Sequence, residues 1–385
     1  MSVTTNAPQP PIPFLDLKAE YQSQRTEVLA AIEQVLDSMQ LHNGPQTQAL
    51  EEEFAAYCGA RHAVAVGSGT DALLLTYAAL GLGRGDEVIV PSHTFIATVA
   101  PLAFLGATPV FVDIDSMLFT MDPERVQAAV TARTKAIVPV HLYGQPADMA
   151  PIQEIALQHG LALVEDACQA VGAGYQGQTV GSFGDAATFS FVFTKNLKGY
   201  GDGGMITTNR DDLAEQVRRL RDHGRAGKYE HPVFGLNCRM DEIQAAIVRI
   251  ALSRLEERTE RRRRIAERYT QAFRGTELLP PAEREAVRHV YHLYVLRTQR
   301  RDELAAHLNE AGIATGIHYP IPCHLQEACR TEGYGPVSLP KTEQAAREIL
   351  SLPVYPELTD EQVDRIIGAV LAFDATTSNL QRVAS

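Results

Sequence analysis

The chain has few cysteines, no long apolar run and no excess of positive charge, and each absence closes off a class of function. Its five cysteines, Cys58, Cys168, Cys238, Cys323 and Cys329, form no CxxC pair, and no His/Cys set has zinc-ligand spacing. Neither a structural zinc site nor a disulfide framework is expected; scattered free thiols fit a reducing compartment. No apolar stretch is long enough to span a bilayer. The segment Met1–Pro13 is polar and proline-rich, without the basic start and apolar centre of a signal peptide. A cytoplasmic protein is therefore expected. Lys and Arg number 35 against 47 Asp and Glu, a formal net charge of -12. That argues against binding nucleic acid or an anionic membrane. It leaves room for a phosphorylated small molecule, because a local site can be positive on an acidic protein. No G-x-G-x-x-G follows the first strand, which excludes a Rossmann oxidoreductase.

What is present fits a globular enzyme. The 385 residues are 45% hydrophobic and 21% charged, enough for two domains and a large core. Residues 1–13 are expected to be a flexible arm. Apolar positions at helical spacing predict helices over 17–36 and 47–57. An α/β rhythm follows, with strands expected at 63–66, 87–90, 108–112, 136–140 and 161–164. Helices are expected between them at 71–80, 95–105, 123–130 and 150–159. Alternation of this kind predicts a mainly parallel sheet covered on both faces. Beyond Met240 the pattern predicts one long helix from Asp241 to Phe273, a strand over 290–296, and helices over 301–310, 344–351 and 360–373. The run Arg261–Arg264 lies on the long helix, flanked by Glu256, Glu257, Glu260 and Glu267, and reads as a solvated face. A large α/β domain over 14–245 and a smaller α+β domain over 246–385 are expected.

Ligands on such sheets sit outside the carboxyl ends of the strands, so the residues just after each strand carry the chemistry. Gly67-Ser-Gly-Thr-Asp71 follows the first strand and opens a helix, where free N–H groups and the helix dipole favour an anion. A plain strand-to-helix connection would look the same. Phe95, after the next strand, could stack on a planar ligand or belong to the core; His93 is equally open. Asp166 ends a strand and could hold a pyridine nitrogen protonated, or cap a helix; Gln169 lies three residues on. In Thr188-Phe-Ser-Phe-Val-Phe-Thr-Lys195, an apolar run ends near a lysine. Ser190 could donate to a phosphate. Burial would favour the neutral amine of Lys195, which can form a Schiff base with a carbonyl; a solvated loop lysine is the alternative. Lys198 is a rival. Asn237 and Arg239 precede the long helix as polar contacts or turn residues. A phosphate turn, an aromatic, an aspartate, a serine and a lysine in this order are what a pyridoxal 5′-phosphate (PLP) site requires.

With these motifs the chain, from about Ile12 to Val370, resembles the DegT/DnrJ/EryC1/StrS family of PLP-dependent sugar aminotransferases. The segments that carry the likeness are Gly67–Leu73, Val90–Thr98, Val140–Asp148, Glu165–Ala170, Phe189–Phe191 with Thr194–Asn196, Gly201–Gly204, and Asn237 with Arg239–Ala246. Val192-Phe193 departs from the tyrosine and proline that many relatives carry before the lysine. The resemblance implies a fold of the aspartate aminotransferase type. It implies that Lys195 holds PLP as a Schiff base and later moves the proton between cofactor and substrate carbon. It further implies that Asp166 pairs with the pyridinium nitrogen, that Phe95 stacks on one ring face, and that Gln169 packs near the other. Gly69, Thr70, Asp71 and Ser190 would hold the phosphate. Asn237 would reach the phosphate of a neighbouring subunit, which makes a homodimer the working unit. A lysine at 195, where dehydratases of this fold carry histidine, implies amino transfer.

The segment Ile317-His-Tyr-Pro-Ile-Pro-Cys-His324 resembles that of relatives that aminate carbon 3 of a nucleotide-linked keto-hexose. His318 and Tyr319 would contact the sugar or diphosphate, with Arg225 as a further cationic contact. The resemblance implies L-glutamate as amino donor and a dTDP- or UDP-linked 3-keto sugar as acceptor. Amination at carbon 4, or of a keto-inositol, is the alternative within the family. A non-catalytic regulatory homologue should have lost Lys195, Asp166 or the phosphate turn, and all three are present.

Overall fold

The computed structural model describes residues 10–334 and 337–384, with side chains to residue 375. In chain order the main elements begin with α1 (Leu17–Ser38), α2 (Pro45–Cys58), β1 (His62–Val66), α3 (Gly69–Ala79) and β2 (Glu87–Pro91). They continue with α4 (Ala100–Leu105), β3 (Thr108–Val112), α5 (Pro123–Ala129), β4 (Thr134–Ile137), α6 (Met149–His159) and β5 (Ala162–Asp166). The short strands β6 (Gly174–Tyr175) and β7 (Gln178–Thr179) precede β8 (Ala186–Ser190), β9 (Gly204–Thr208) and α7 (Asp211–Leu220). After α8 (Glu242–Ser253) and α9 (Leu255–Ala272) come β10 (Val287–Arg288), β11 (Tyr294–Arg297) and α10 (Arg301–Glu310). The chain ends with α11 (Glu327–Thr331), α12 (Pro340–Glu348), β12 (Ile349–Leu352) and α13 (Asp360–Ala384).

Seven strands form the central sheet in the order β1-β9-β8-β5-β4-β2-β3. All neighbours are parallel except β9, which runs antiparallel to both β1 and β8. Side-chain alternation decides which layer each strand residue joins. Ala63 and Ala65 of β1, Phe189 of β8 and Met205 of β9 pack with Phe54 of α2 and Val248 of α8. Alternate strand residues Val64, Val66, Ala186 and Ile206 face the other way, onto Ala72 and Leu75 of α3 and Val217 of α7. Both faces are covered, as the near-continuous apolar strands require.

Glu242, 1% exposed, ties α8 to α2. Its carboxylate accepts from the N–H groups of Gly44, Gln46 and Thr47 at 2.8–2.9 Å. A helix N-terminus has unsatisfied donors, and here a side chain from another helix takes them.

Several local expectations change in the folded chain. The expected helix 95–105 becomes a 3-10 turn over Ile96–Thr98 followed by α4. Pro101 sits in the first turn of α4; inside a helix begun at 95 it would lack the N–H needed for the i→i−4 bond. Phe95 is left extended (φ -75°, ψ 144°) outside any helix. The long helix expected from Asp241 breaks at Arg254 (φ -110°, ψ 1°) into α8 and α9. The expected helix 344–351 ends at Glu348, and 349–352 is instead a buried strand paired with β11. Ile12, expected in a flexible arm, is 1% exposed. Its N–H donates to Gly312 O at 2.8 Å, and its carbonyl accepts from Ala314 N at 3.0 Å. The rest of that arm, residues 1–9, lies outside the described residues.

The expected boundary at 245/246 falls inside α8, whose Ala245, Val248 and Ala251 belong to the core of the large sheet. The C-terminal core of Ile265, Tyr269, Phe273, Tyr294, Leu350 and Ile366 draws its first helical residues from α9. Nor is the arginine run uniformly solvated. Arg261 and Arg263 pair with Asp360 and Glu283, whereas Arg262 is 3% exposed.

Candidate active site

The carboxyl ends of the parallel strands β2, β5 and β8 open on one cavity of about 350 Å³. Each strand delivers one group to it. Past β1, Ser68, Gly69 and Thr70 line the cavity; past β2, Thr94, Phe95 and Thr98; at the end of β5, Asp166, Cys168 and Gln169. Ser190 ends β8, and Lys195 lies in the turn that follows, held by its N–H to Val192 O at 2.9 Å. Tyr319 closes the cavity from the C-terminal part of the chain.

Lys195 is the group whose acidity matters most. Burial holds its ammonium below the ordinary 10.5, opposed in part by Cys168 and Asp166. A desolvated amine is the more nucleophilic form. Lys198, the rival, is 1% exposed and donates from Nζ to Glu20 Oε2 at 2.5 Å. It is committed to an internal ion pair and does not line the cavity.

Asp166 is 4% exposed. Its Oδ2 accepts from Thr98 Oγ1 at 2.7 Å, and its Oδ1 from Cys168 N at 3.2 Å. Thr98 in turn meets Thr94 Oγ1 at 2.8 Å. No helix follows Asp166, so it is not an N-cap. Glu165 beside it, 0% exposed, accepts from His141 and from the N–H groups of Gly181, Phe183 and Gly184. That fixes the strand end from which Asp166 projects.

The anion turn is built by Ser68, whose Oγ caps α3 by accepting from Asp71 N at 3.0 Å. The N–H groups of Gly69 and Thr70 lie in the first turn of α3. A Cβ at Gly69 would lie 2.7 Å from Ser190 Cβ, so glycine keeps open the space between the helix N-terminus and Ser190. A Cβ at Gly204 would lie 2.3 Å from Ser68 O; β9 can pass under the turn only as glycine. Asp71 is not brought to the cavity. Its carboxylate lies against Gly67 and bonds the Cys238 thiol, whose acidity it weakens further after burial.

Gln169 bridges two parts of the site. Its Oε1 accepts from Tyr143 N at 2.8 Å, and its Nε2 donates to Tyr319 Oη at 3.0 Å. The Tyr143 hydroxyl donates to His318 O. Having one proton, it accepts from His93 Nε2 at 2.8 Å. His93 is 1% exposed, and burial pushes it down to about 4. It is therefore a neutral prop for Tyr143, not a cavity residue. Phe95 is 53% exposed, with its ring 5.5 Å from that of Tyr319. A large apolar ring left half open at a rim is a stacking surface.

The structure brings together Gly69, Thr70, Phe95, Asp166, Gln169, Ser190, Lys195 and Tyr319. It leaves Arg225, Asn237 and His318 off this cavity. Arg225 is exposed and 3.7 Å from Asp222. Asn237 is exposed, its backbone bridged to Asp222. His318 stacks on Phe14 at 5.5 Å and bonds Ser351 Oγ at 2.9 Å. Burial, reinforced by Lys195, pushes it down to about 4, so it meets any ligand as a neutral imidazole. Thr94, Thr98 and Tyr143 carry no motif signal separable from their neighbours; only the fold reveals what they hold.

These residues fit a planar, phosphorylated aldehyde. The Gly69–Ser190 gap would take the phosphate, Phe95 one ring face, Asp166 the ring nitrogen and Lys195 the carbonyl carbon. Among curated relatives, the chain is 47% identical over 365 residues to the "Pleiotropic regulatory protein" of Geobacillus stearothermophilus, covering 94% of this chain and 98% of that one. It is 47% identical over 369 residues to the dTDP-3-amino-3,4,6-trideoxy-alpha-D-glucose transaminase of Streptomyces venezuelae, covering 96% and 97%. Among solved structures it superposes on S. venezuelae DesV in complex with a ketimine intermediate with a TM-score of 0.93 at 47% identity, covering 95% of this chain and 99% of that one. It superposes on NtdA from Bacillus subtilis with bound cofactor PMP with a TM-score of 0.89 at 32% identity, covering 95% and 86%. The family model for DegT/DnrJ/EryC1/StrS aminotransferases matches residues 22–371, and with the lysine, the aspartate and the anion turn in one cavity, the chain belongs to that family.

Proposed function

We propose that the protein transfers an amino group from L-glutamate to the 3-keto carbon of a dTDP- or UDP-linked hexose, giving a 3-amino sugar nucleotide. Bound PLP supplies an electron sink that stabilises negative charge at the substrate carbon. The chain's own residues do the rest. Gly69, Thr70 and Ser190 hold the phosphate, Phe95 and Gln169 flank the ring, and Thr98 keeps the Asp166 carboxylate aimed at the ring nitrogen. Lys195, whose ammonium burial makes a stronger acid than an ordinary lysine, holds and releases the proton at Nζ. Tyr319, anchored by Gln169 and reached from the rim, contacts the sugar; His318 supports it from behind.

The carrying observation is that Lys195, Asp166 and the Gly69–Ser190 gap line one cavity. Asn237 lies outside it, exposed, beside a fully exposed Phe234 and an 81% exposed Tyr229. This supports a homodimer in which Asn237 serves the neighbouring site. Among the described residues no helix is long and apolar enough to cross a membrane, in keeping with a cytoplasmic enzyme.

A half-reaction tests the reading. Protein bleached by glutamate is mixed with 3-keto and 4-keto nucleotide sugars while the visible absorbance is followed. Return of absorbance with the 3-keto sugar is expected. Return with the 4-keto sugar alone would move the reaction to carbon 4. One relative is named for regulation, but a regulator without catalysis would show no bleaching by glutamate.

A further inference from the structure

A second cavity, of about 230 Å³, also has Lys195 in its wall. It shares Thr194, Lys195 and Tyr319 with the first and adds Arg262, His292 and His318 among its polar residues. None of its lining residues is acidic; the remainder are apolar, with Phe14, Leu15 and Val354 among them.

Arg262 is the unusual member. It is 3% exposed. The hydrogen bonds found for it use Nη1 alone, to the carbonyls of Tyr291 and Val354, and it has no salt bridge among the described residues. Four nearby charges cancel without it. Glu20 pairs with Lys198 and Arg258, and Arg258 also with Glu357. Glu20 and Glu357 also attract the guanidinium of Arg262, but both acids are in direct ion pairs with Lys198 and Arg258, and neither forms one with Arg262. Buried charges are normally paired. Here a buried guanidinium with no direct ion pair among the described residues faces a cavity. The imidazoles bear out the imbalance, since His292 is pushed down by burial, then by Lys195, Arg262 and His318, with no carboxylate opposing.

We propose that this cavity binds a carboxylate of the amino donor, with the Arg262 guanidinium as its anchor and the neutral His292 and His318 as hydrogen-bond partners. The assignment rests on the aminotransferase reading for the identity of the ligand. Arginine suits a planar carboxylate because it can present two parallel N–H groups. The shared Lys195 wall places a ligand held there beside the amine that its own amino group must replace. The keto acid product carries the same carboxylates and would occupy the same place.

The test is calorimetric titration of the PLP-loaded protein with glutarate, a dicarboxylate that has no amino group and cannot react. Wild-type protein should bind it, and Arg262→Gln should weaken binding roughly ten- to hundredfold, the loss of one charge-assisted contact. Retained visible absorbance of the cofactor shows that the variant is folded. Should Arg262→Gln not fold, Leu15→Glu places a carboxylate at the cavity wall and should abolish glutarate binding by competition. Equal affinity in wild type and variant overturns the proposal. So does tighter binding of inorganic phosphate than of glutarate, which would mark a phosphate subsite. The two readings fail separately. Arg262-dependent glutarate binding without bleaching by glutamate would remove the donor assignment and leave a carboxylate site. Transamination with Arg262-independent glutarate binding would leave the enzyme and remove the site.

Discussion

Lys195 and Lys198 share a turn and a side chain but not a role. Glu20 takes the ammonium of Lys198 into an ion pair, whereas Lys195 faces a cavity with its amine favoured as the neutral form. Lys195→Ala should lower kcat by about 10⁴ or more, the span of a lost acid–base group and nucleophile, measured as glutamate-dependent amine transfer. Lys198→Met should keep the visible cofactor spectrum and instead lose roughly 3 kcal/mol in urea unfolding, because Glu20 stays buried with a weaker partner. His93 makes a pH prediction. Burial pushes the pKa of its imidazolium down to about 4 from an ordinary 6.5. Between pH 6.5 and about 4 the unfolded chain binds a proton that the folded chain does not, so stability is lost as pH falls through that window. His93→Gln keeps a donor for Tyr143 and removes this term. Its loss of stability between pH 7 and pH 5 should be smaller than that of wild type by about 2 kcal/mol.

The turn joining β1 to α3 shows what an element contributes that a motif cannot. Gly69 is needed for close approach, not for an unusual backbone angle. Gly69→Ala should push Ser190 aside, an overpacking cost of roughly 1–3 kcal/mol. That falls on the phosphate space and weakens PLP about tenfold or more. Loss of visible absorbance on dialysis, with an unchanged far-UV spectrum, measures it. The glycines after Lys195 follow the same logic, for Gly199 and Gly201 lie against the Gln244 side chain. Helix breaks were harder to read from sequence. The apolar spacing of 241–273 fits one helix, and nothing local marks Arg254. The break follows from two cores, since α8 must lie on the large sheet and α9 on the C-terminal strands. In the same way 349–352 reads as helix by spacing but becomes a strand because β11 offers it a partner.

At the scale of the whole molecule, the loop with the exposed Tyr229, Phe234 and Asn237 is tied to the anion turn, since Gly67 N donates to Cys238 O at 2.8 Å. In the proposed homodimer these exposed rings would be covered by the second subunit. Light scattering should give twice the chain mass of 42.1 kDa. Phe234→Asp should shift the protein toward monomer and release PLP, because Asn237 would no longer reach a second site. A monomer that keeps cofactor and activity would refute the shared site.

The sequence by itself determined the α/β architecture, the order of strand ends and the residue types of the proposed PLP site. Those depend on local periodicity and on groups placed a few residues past each strand. Only the tertiary structure decided that Lys198 is an ion-pair residue, that His93 is a prop, that Asp71 turns to Cys238, and that Arg262 is the buried member of an arginine run whose neighbours Arg261 and Arg263 are ion-paired. Each of these depends on which distant charge or cavity faces the side chain, and charge pairing across more than a hundred residues leaves no periodic trace.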